Sequence, residues 1–590
     1  MFTENRIIVK KMLVLFKPYR KEILYIFICI AVSSCISIVL PLISRSIIDE
    51  GLLQYNFSLV CKQSFLVLGL ILLEQSISFA EMKNVAYINS MILYHLTKVS
   101  FKHLTRLKVH YYTNKNTTEI IKNIDFDINN VARISDRFVF HIIDQLFKII
   151  GGLAGLFILD WRLASLVIGI FPVKYAFIKY LTKIKEKSMQ SFMEYNSAYF
   201  SWLGDTVEGI KEIKIFELYN KKIGEFIAAQ RKIVKMNMKL IIMDKVNDMF
   251  EIVLDQMVTT CLYITGAVLI FNYEFSLGGL FAFITYSMYV TGPITAFMNI
   301  KYSFANMLPS ARRLFEFLDG TECEEDKRAS INKRKVNWQQ AKGEIEFQDV
   351  SFWYEDKNKY ILNQVGFKIS GGEKVAILGA NGSGKTTLIN LLLKFYKPAQ
   401  GRILVDGVDI DSIKLTEYRR LVSAVPQHSH IFNTSVINNI VMNKAYDKKK
   451  YETVLQYSQS SDFILDYDDK NNVGNNGGRL SGGQKQKLAI ARALYKDSKI
   501  LIFDEATANF DIASEQNLFE VIKKECGEKT VLYITHRISI LKYVDKIIWL
   551  DKGKIRYIGT YDGLCENMLY ENLIKNCSTD LTPPESSLHL

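Results

Sequence analysis

Gly379-Ala380-Asn381-Gly382-Ser383-Gly384-Lys385-Thr386-Thr387 decides the architecture of the C-terminal half of this 590-residue chain. The apolar run Ala376-Ile377-Leu378 feeds into it, and a helical pattern starts at Thr386 and runs to Leu393. Strand, glycine-rich turn and helix, in that order, make a loop whose backbone N–H groups wrap phosphates at a helix N-terminus. Lys385 supplies a point charge to the outer phosphates, and the Thr386 hydroxyl is an expected Mg²⁺ ligand. From about Gly343 to Asn576 the pattern is one of strands and helices, an α/β domain.

About a hundred residues further on stands Leu480-Ser481-Gly482-Gly483-Gln484. Ser481, Gly482 and Gly483 present N–H groups and a hydroxyl at a helix start, which is a second anion site. Ile500-Leu501-Ile502-Phe503 reads as a buried strand ending in Asp504-Glu505. Asp504 is placed to hold the metal ion directly or through water. Glu505, one residue on, is placed to polarise an attacking water as a general base.

This set resembles the ATP-binding cassette (ABC) ATPases. The resemblance implies ATP and Mg²⁺ as ligands, with Gly379, Asn381, Gly382, Ser383, Gly384, Lys385, Thr386 and Thr387 around the phosphates. It implies that Tyr354, in Val350-Ser351-Phe352-Trp353-Tyr354, stacks on adenine. Gln427, in Ala424-Val425-Pro426-Gln427, resembles the residue that senses Mg²⁺ and contacts the membrane domain. His536, in Ile534-Thr535-His536-Arg537, matches the switch histidine beside the γ-phosphate. Ser481, Gly482, Gly483 and Gln484 match the signature that faces ATP held by a second subunit. Asp511, in Ala508-Asn509-Phe510-Asp511, fits the loop crossing between the two sites. Asn509-Phe510 departs from the usual Ala-Leu, and Asn475-Asn476 replaces an acidic residue often found before the signature.

The N-terminal half is of another kind. Hydrophobic residues are 49% of the chain and its mean hydropathy is only +0.07, so an apolar half is averaged with a polar one. The net charge is +13, but Lys10, Lys11, Lys17, Arg20 and Lys21 flank apolar runs. That is positive-inside anchoring of a membrane protein, and nucleic acid is not an expected partner. The eight cysteines show no paired spacing, so neither a zinc site nor a disulfide framework is expected. No secretory signal is evident, and the roughly twenty residues before the first span are too few for a further domain.

Six apolar runs approach the ~20 residues a spanning helix needs. They are Leu24–Ile43, Leu59–Phe79, Val139–Leu159, Leu163–Leu181, Ile252–Phe271 and Leu277–Phe297. The connections Asp160-Trp161-Arg162 and Asn272-Tyr273-Glu274-Phe275-Ser276 are short, whereas those from Ala80 to Phe138 and from Lys183 to Glu251 are long and Lys-rich. Basic long loops place those connections, and both termini, in the cytoplasm. Their apolar periodicity and lack of proline predict helices continuing out of the bilayer. The pattern resembles the exporter branch of the ABC family, with its type IV transmembrane fold. By that likeness, residues 111–120 and 203–214 match coupling helices, with Thr118 where Gly usually precedes Glu119.

Charges at membrane depth are costly and face protein or water. Glu74, Asp144, Lys148, Lys174 and Asp255 fall inside or at the ends of spans. Asp144 and Lys148, at i,i+4, can neutralise each other. These groups either line a substrate cavity or pair among themselves. Phe281, Phe283, Tyr286, Met288, Tyr289 and Met298 give span six either an adaptable ligand wall or ordinary packing, and Gly292-Pro293 is a candidate kink.

The expected organisation is a six-helix, all-α transmembrane domain (1–318), a linker (319–342), an α/β P-loop NTPase cassette (343–577) and a disordered tail (578–590). One cassette and six spans imply a dimer, a homodimer being simplest and a heterodimer possible. The expected function is ATP-driven export of a hydrophobic or amphipathic peptide, lipid or drug across a bacterial plasma membrane. Alternatives on the same fold are a lipid flippase and an ATP-gated channel or regulator.

Overall fold

The computed structural model describes residues 2–113, 117–135, 137–320, 323–324, 340–354, 359–464, 472–535 and 537–566. The chain divides into two compact units: Met1–Leu107 with Tyr111–Glu322, and Lys108–His110 with Cys323–Leu590.

The first unit is helical. It runs α1 (Phe2–Val14), α2 (Arg20–Ser46), α3 (Phe57–Leu104), α4 (His110–Thr113), α5 (Thr117–Ala132), α6 (Arg137–Leu159), α7 (Trp161–Gly169), α8 (Phe171–Glu208), α9 (Ile210–Ile215), α10 (Tyr219–Phe271), α11 (Leu277–Thr291) and α12 (Pro293–Asp319). A six-residue π-helix, Ile47–Leu52, follows α2. At 1.5 Å per residue, the 48 residues of α3 and 53 of α10 run more than twice the ~30 Å of a bilayer core. They extend past it, as the proline-free sequence predicts. Short helices α4 and α9 fall in the two segments matched to coupling helices; Asn114, Lys115 and Asn116 lie outside the described residues.

Two of the six predicted spans carry a one-residue interruption in their helical hydrogen bonding. The run Leu163–Leu181 is divided between α7 and α8 at Ile170, and Leu277–Phe297 is divided between α11 and α12 at Gly292. In each case a proline, Pro172 or Pro293, opens the second helix, because proline lacks the N–H that the preceding turn needs. Gly292 keeps helical dihedrals, φ −60° and ψ −47°, and its N–H bonds the Met288 carbonyl at 3.1 Å, so the candidate kink at Gly292-Pro293 is an interruption of the helix's hydrogen bonding and not an end to its backbone path.

Glycines bring α6 close to its neighbours. A Cβ on Gly151 would overlap Ile38 of α2, and one on Gly155 would lie 2.8 Å from the Tyr286 ring of α11. Small residues allow such approach where no hydrophobic force separates helix from lipid. The Tyr286 hydroxyl then donates to the Ile38 carbonyl at 2.5 Å. Phe283 and Tyr286 are fully packed, while Phe281 and Met288 are exposed; the Met298 side chain lies outside the described residues. Several intramembrane charges are paired: Lys148 donates to Asp144 at 3.0 Å, and Ser37 donates to Glu74 at 2.9 Å.

The second unit contains two sheets. A four-stranded antiparallel sheet has the order β2 (Leu362–Ile369), β1 (Ile345–Phe352), β4 (Gln400–Val405), β5 (Val408–Asp409). A six-stranded sheet has the order β10 (Lys554–Gly559), β9 (Lys546–Asp551), β3 (Lys374–Leu378), β8 (Thr530–Ile534), β7 (Ile500–Asp504), β6 (Val422–Val425). All its pairings are parallel except β10 with β9. Strands covered on both faces read as continuous apolar runs, and β3, β7 and β8 do so. Helices α13 (Lys385–Leu392), α14 (Leu415–Leu421), α15 (Val436–Val441), α16 (Lys448–Tyr457), α17 (Ser461–Ile464), α18 (Gly482–Lys496), α19 (Ile512–Glu525) and α20 (Tyr561–Cys565) complete the unit. Because β3, β6 and β7 are parallel, their C-terminal ends, carrying the glycine loop, Gln427 and Asp504-Glu505, meet at one edge of the sheet.

Candidate nucleotide site

Residues from four separate stretches line one cavity of about 450 Å³ at that edge. The glycine loop supplies Asn381, Gly382, Gly384, Lys385, Thr386 and Thr387. Tyr354, Gln427, Asp504 and Glu505 complete the predicted lining. The loop's shape requires its glycines. Gly384 has φ +107°, and a Cβ there would lie 2.7 Å from Leu362. Gly379 and Ser383 shape the loop from behind: the Ser383 hydroxyl is buried with no hydrogen-bond partner among the described residues. The Lys385 ammonium turns back onto the loop, donating to the carbonyls of Gly379 at 2.7 Å and Ala380 at 3.0 Å.

Tyr354 sits at the rim. Its hydroxyl lies 3.1 Å from that of Thr387, and its ring meets Phe352 and Tyr396 edge-on, at 5.0 and 5.2 Å between centroids. This rigid, half-exposed aromatic beside the phosphate loop has the form of a stacking platform.

The two carboxylates differ in environment. Burial, added to the neighbouring Glu505 charge and opposed by Lys385, pushes the Asp504 carboxyl up from 3.8 to about 6. Glu505 holds a left-handed backbone, φ +49°, with its N–H donating to Ile534 at 3.0 Å. Its Oε2 accepts from the Gln427 carboxamide at 2.6 Å. The Thr386 hydroxyl, the Gln427 carbonyl and the Asp504 carboxylate are hard oxygen donors around one cavity. That is a donor set suited to Mg²⁺, and a cation there would relieve the crowding of the two carboxylates.

Other predicted residues lie elsewhere. Ser481, Gly482, Gly483 and Gln484 do not line this cavity. They open α18 as a capping box: Ser481 Oγ accepts from the Gln484 N–H at 3.3 Å, and Gln484 Oε1 accepts from the Ser481 N–H at 2.9 Å. Asp511 caps α19, accepting from the Ser514 N–H and hydroxyl, both at 2.8 Å. His536 lies outside the described residues.

One network was not foreseen. Glu515, 2% exposed, accepts from Arg537 at 3.0 Å and from the Thr507 hydroxyl at 2.5 Å. Arg537 also donates to the Ala508 carbonyl at 3.1 Å, while the Asn509 N–H donates to Gln486 of α18 at 3.1 Å. The segment before Asp511 is thus fastened both to Arg537, three residues past the end of β8, and to the signature helix. In sequence, Glu515 is one acid in the first turn of an amphipathic helix, with nothing to mark it as buried.

Comparison with known proteins agrees with this geometry. Residues 23–294 match the model of the ABC transporter transmembrane region, and residues 362–508 match that of the ABC transporter itself. An ATP-dependent lipid A-core flippase of Haemophilus influenzae is 27% identical over 572 residues, covering 96% of both chains. The protein of the same description from Wigglesworthia glossinidia brevipalpis is 27% identical over 555 residues, covering 93% of this chain and 94% of that one. Among solved structures, a bacterial Atm1-family ABC exporter with ATP bound superposes with a TM-score of 0.82 at 21% identity, over 96% of this chain and 99% of that one.

Proposed function

The chain belongs to the ABC transporter family, and on that premise we propose that it works as a dimer that spends ATP to move an amphipathic molecule, a lipid first among them, across a bacterial plasma membrane. The observation that carries the reading is the meeting of Lys385, Thr386, Asp504 and Glu505 in one cavity of a chain with, among the described residues, five helical stretches long and apolar enough to span a membrane. The lipid preference is supported by the flippases that match along almost the whole chain.

Each residue has a role that follows from its chemistry. Tyr354 holds adenine by its face. Asn381, Gly382, Ser383 and Gly384 direct backbone N–H groups at the phosphates, and Lys385 swings from its loop carbonyls to the outer phosphate oxygens. Thr386, Asp504 and Gln427 would hold Mg²⁺, which would supply charge neutralisation at the phosphates. Glu505 orients water and takes its proton, with Gln427 holding the carboxylate in register. The Ser481–Gln484 helix start, outside its own chain's cavity, presents its N–H groups to ATP held by a second copy, with Asp511 between the sites. Both termini lie in the cytoplasm, with the basic flanks.

The test is ATP turnover in lipid nanodiscs against a panel of lipids, peptides and dyes, with Glu505→Gln as the control. Stimulation by a lipid, absent in the variant, is the expected result. No turnover above the variant would overturn the reading. Ion current independent of Glu505 would favour a channel instead.

A further inference from the structure

We propose that Lys174 ties the break in the fourth span to the break in the sixth, so that the two move as one; this rests on the export reading. Lys174 is 1% exposed, in the first turn of α8, directly after the break at Ile170. Its N–H bonds back to the Ile170 carbonyl at 3.1 Å. An ammonium has three donors. Those of Lys174 meet three acceptors: Glu251 at 3.2 Å, Asp255 at 3.3 Å and the Thr291 carbonyl at 2.9 Å. Glu251 and Asp255 are one turn apart on α10, and Thr291 is the last residue of α11, next to Gly292-Pro293.

Neutralising Glu251 and Asp255 does not require the third contact. A charge pair within α10 and α8 is complete without it. The bond to Thr291 reaches the point where Pro293 lacks the N–H that the Tyr289 carbonyl, one turn back, would otherwise accept. Any rotation of α11 against α12 that carries Thr291 away from α8 must break a charge-assisted hydrogen bond from an ammonium that is only 1% exposed. Lys174 is thus a positioning residue for alternating access, acting through the helix break and touching neither nucleotide nor cargo.

The test uses full-length protein in nanodiscs, with its native cysteines replaced by serine and spin labels at Tyr180→Cys on α8 and Glu316→Cys on α12. The label distance is measured without nucleotide and after vanadate trapping with ATP. The tie predicts one narrow distance in each state for the parent, a broad mixture of both without nucleotide for Lys174→Met, and recovery in Lys174→Arg. In vesicles of phosphatidylethanolamine and phosphatidylglycerol, movement of a fluorophore-labelled phosphatidylethanolamine per ATP hydrolysed falls about tenfold in Lys174→Met, the scale of one lost charge-assisted bond. Should Lys174→Met fail to fold, Lys174→Met with Asp255→Asn removes one charge of each sign and must still give the broad mixture. Narrow, parent-like distances in either variant would overturn the tie. Failure of the parent to hydrolyse ATP would overturn the export reading and leave the nucleotide-free distances to judge the tie.

Discussion

Gln427 donates its side-chain N–H to Glu505 Oε2 at 2.6 Å, joining the end of β6 to the end of β7 across the cavity. A carboxylate held this way is fixed at the cavity wall. Replacing Glu505 by Gln keeps the shape and removes the proton acceptor. ATP turnover then falls about 10²- to 10⁴-fold, while ATP binding persists. Phosphate release and equilibrium nucleotide binding check the two halves separately. Gln427→Ala, which only frees the carboxylate to wander, costs less, about tenfold. Near-parent turnover in Glu505→Gln would move the general base elsewhere.

Asp504 makes the nucleotide-free protein less stable than it would otherwise be. Its folded-state pKa is about 6, above the ~3.9 of an unfolded aspartate, so the fold prefers the protonated acid. That preference is met in full below about pH 4, fades as pH rises, and is a full penalty above about pH 6. Asp504→Asn therefore stabilises the nucleotide-free protein at pH 7.5 by about 1 kcal/mol, discounted for partial exposure to water. The unfolding midpoint rises about 2–4 °C, and the gain shrinks as pH drops towards 5. The same variant loses ATP turnover. Equal midpoints at both pH values would contradict the electrostatic account.

Arg537 neutralises a carboxylate that has almost no access to water. Arg537→Ala leaves Glu515 with the Thr507 hydroxyl and no cation, and it releases the Ala508 carbonyl. The expected loss is about 3 kcal/mol, because the partner's charge stays buried. Arg537→Ala with Glu515→Gln recovers most of it, since the charge goes with its partner. Thermal unfolding of the four proteins in the cycle measures the coupling. Additive losses would mean that the pair does not act as a unit.

What the sequence made legible divides along a physical line. The glycine loop and Asp504-Glu505 were legible because each adjoins an apolar strand run, and Gln427 by its likeness to a family loop; the parallel sheet is what brings them to one edge. The Asp144–Lys148 pair was readable because both lie on one helix, four residues apart. Contacts between remote elements were not. Lys174 and Asp255 are 81 positions apart, and nothing in either neighbourhood names the other. Glu515 sits in a helix whose exposed and buried acids look alike until Arg537 is placed above it. The interruptions at Ile170 and Gly292 are invisible to hydropathy, which reports side chains and not backbone hydrogen bonds. Pro172 and Pro293 mark both places, and the helical backbone continues through each, as membrane helices tolerate proline.

The signature at Ser481 is the part of the site that one chain leaves unused. Its helix start offers N–H groups to an anion, yet these residues are absent from the cavity that Lys385 and Glu505 share. If a second copy completes each site, Asn381 of one chain and Ser481 of the other approach only when both are present and ATP is bound. Mixing an Asn381→Cys chain with a Ser481→Cys chain, each also carrying Glu505→Gln and lacking the native cysteines, separates this from chance collision. Oxidation with ATP should give a disulfide-linked band at twice the chain mass, weak without ATP and absent when either chain is oxidised alone. A link that forms equally without nucleotide would indicate constitutive proximity, and the signature would then not need ATP to find its partner. No link with ATP would mean that this anion site serves a different chain, and the search would turn to a heterodimer.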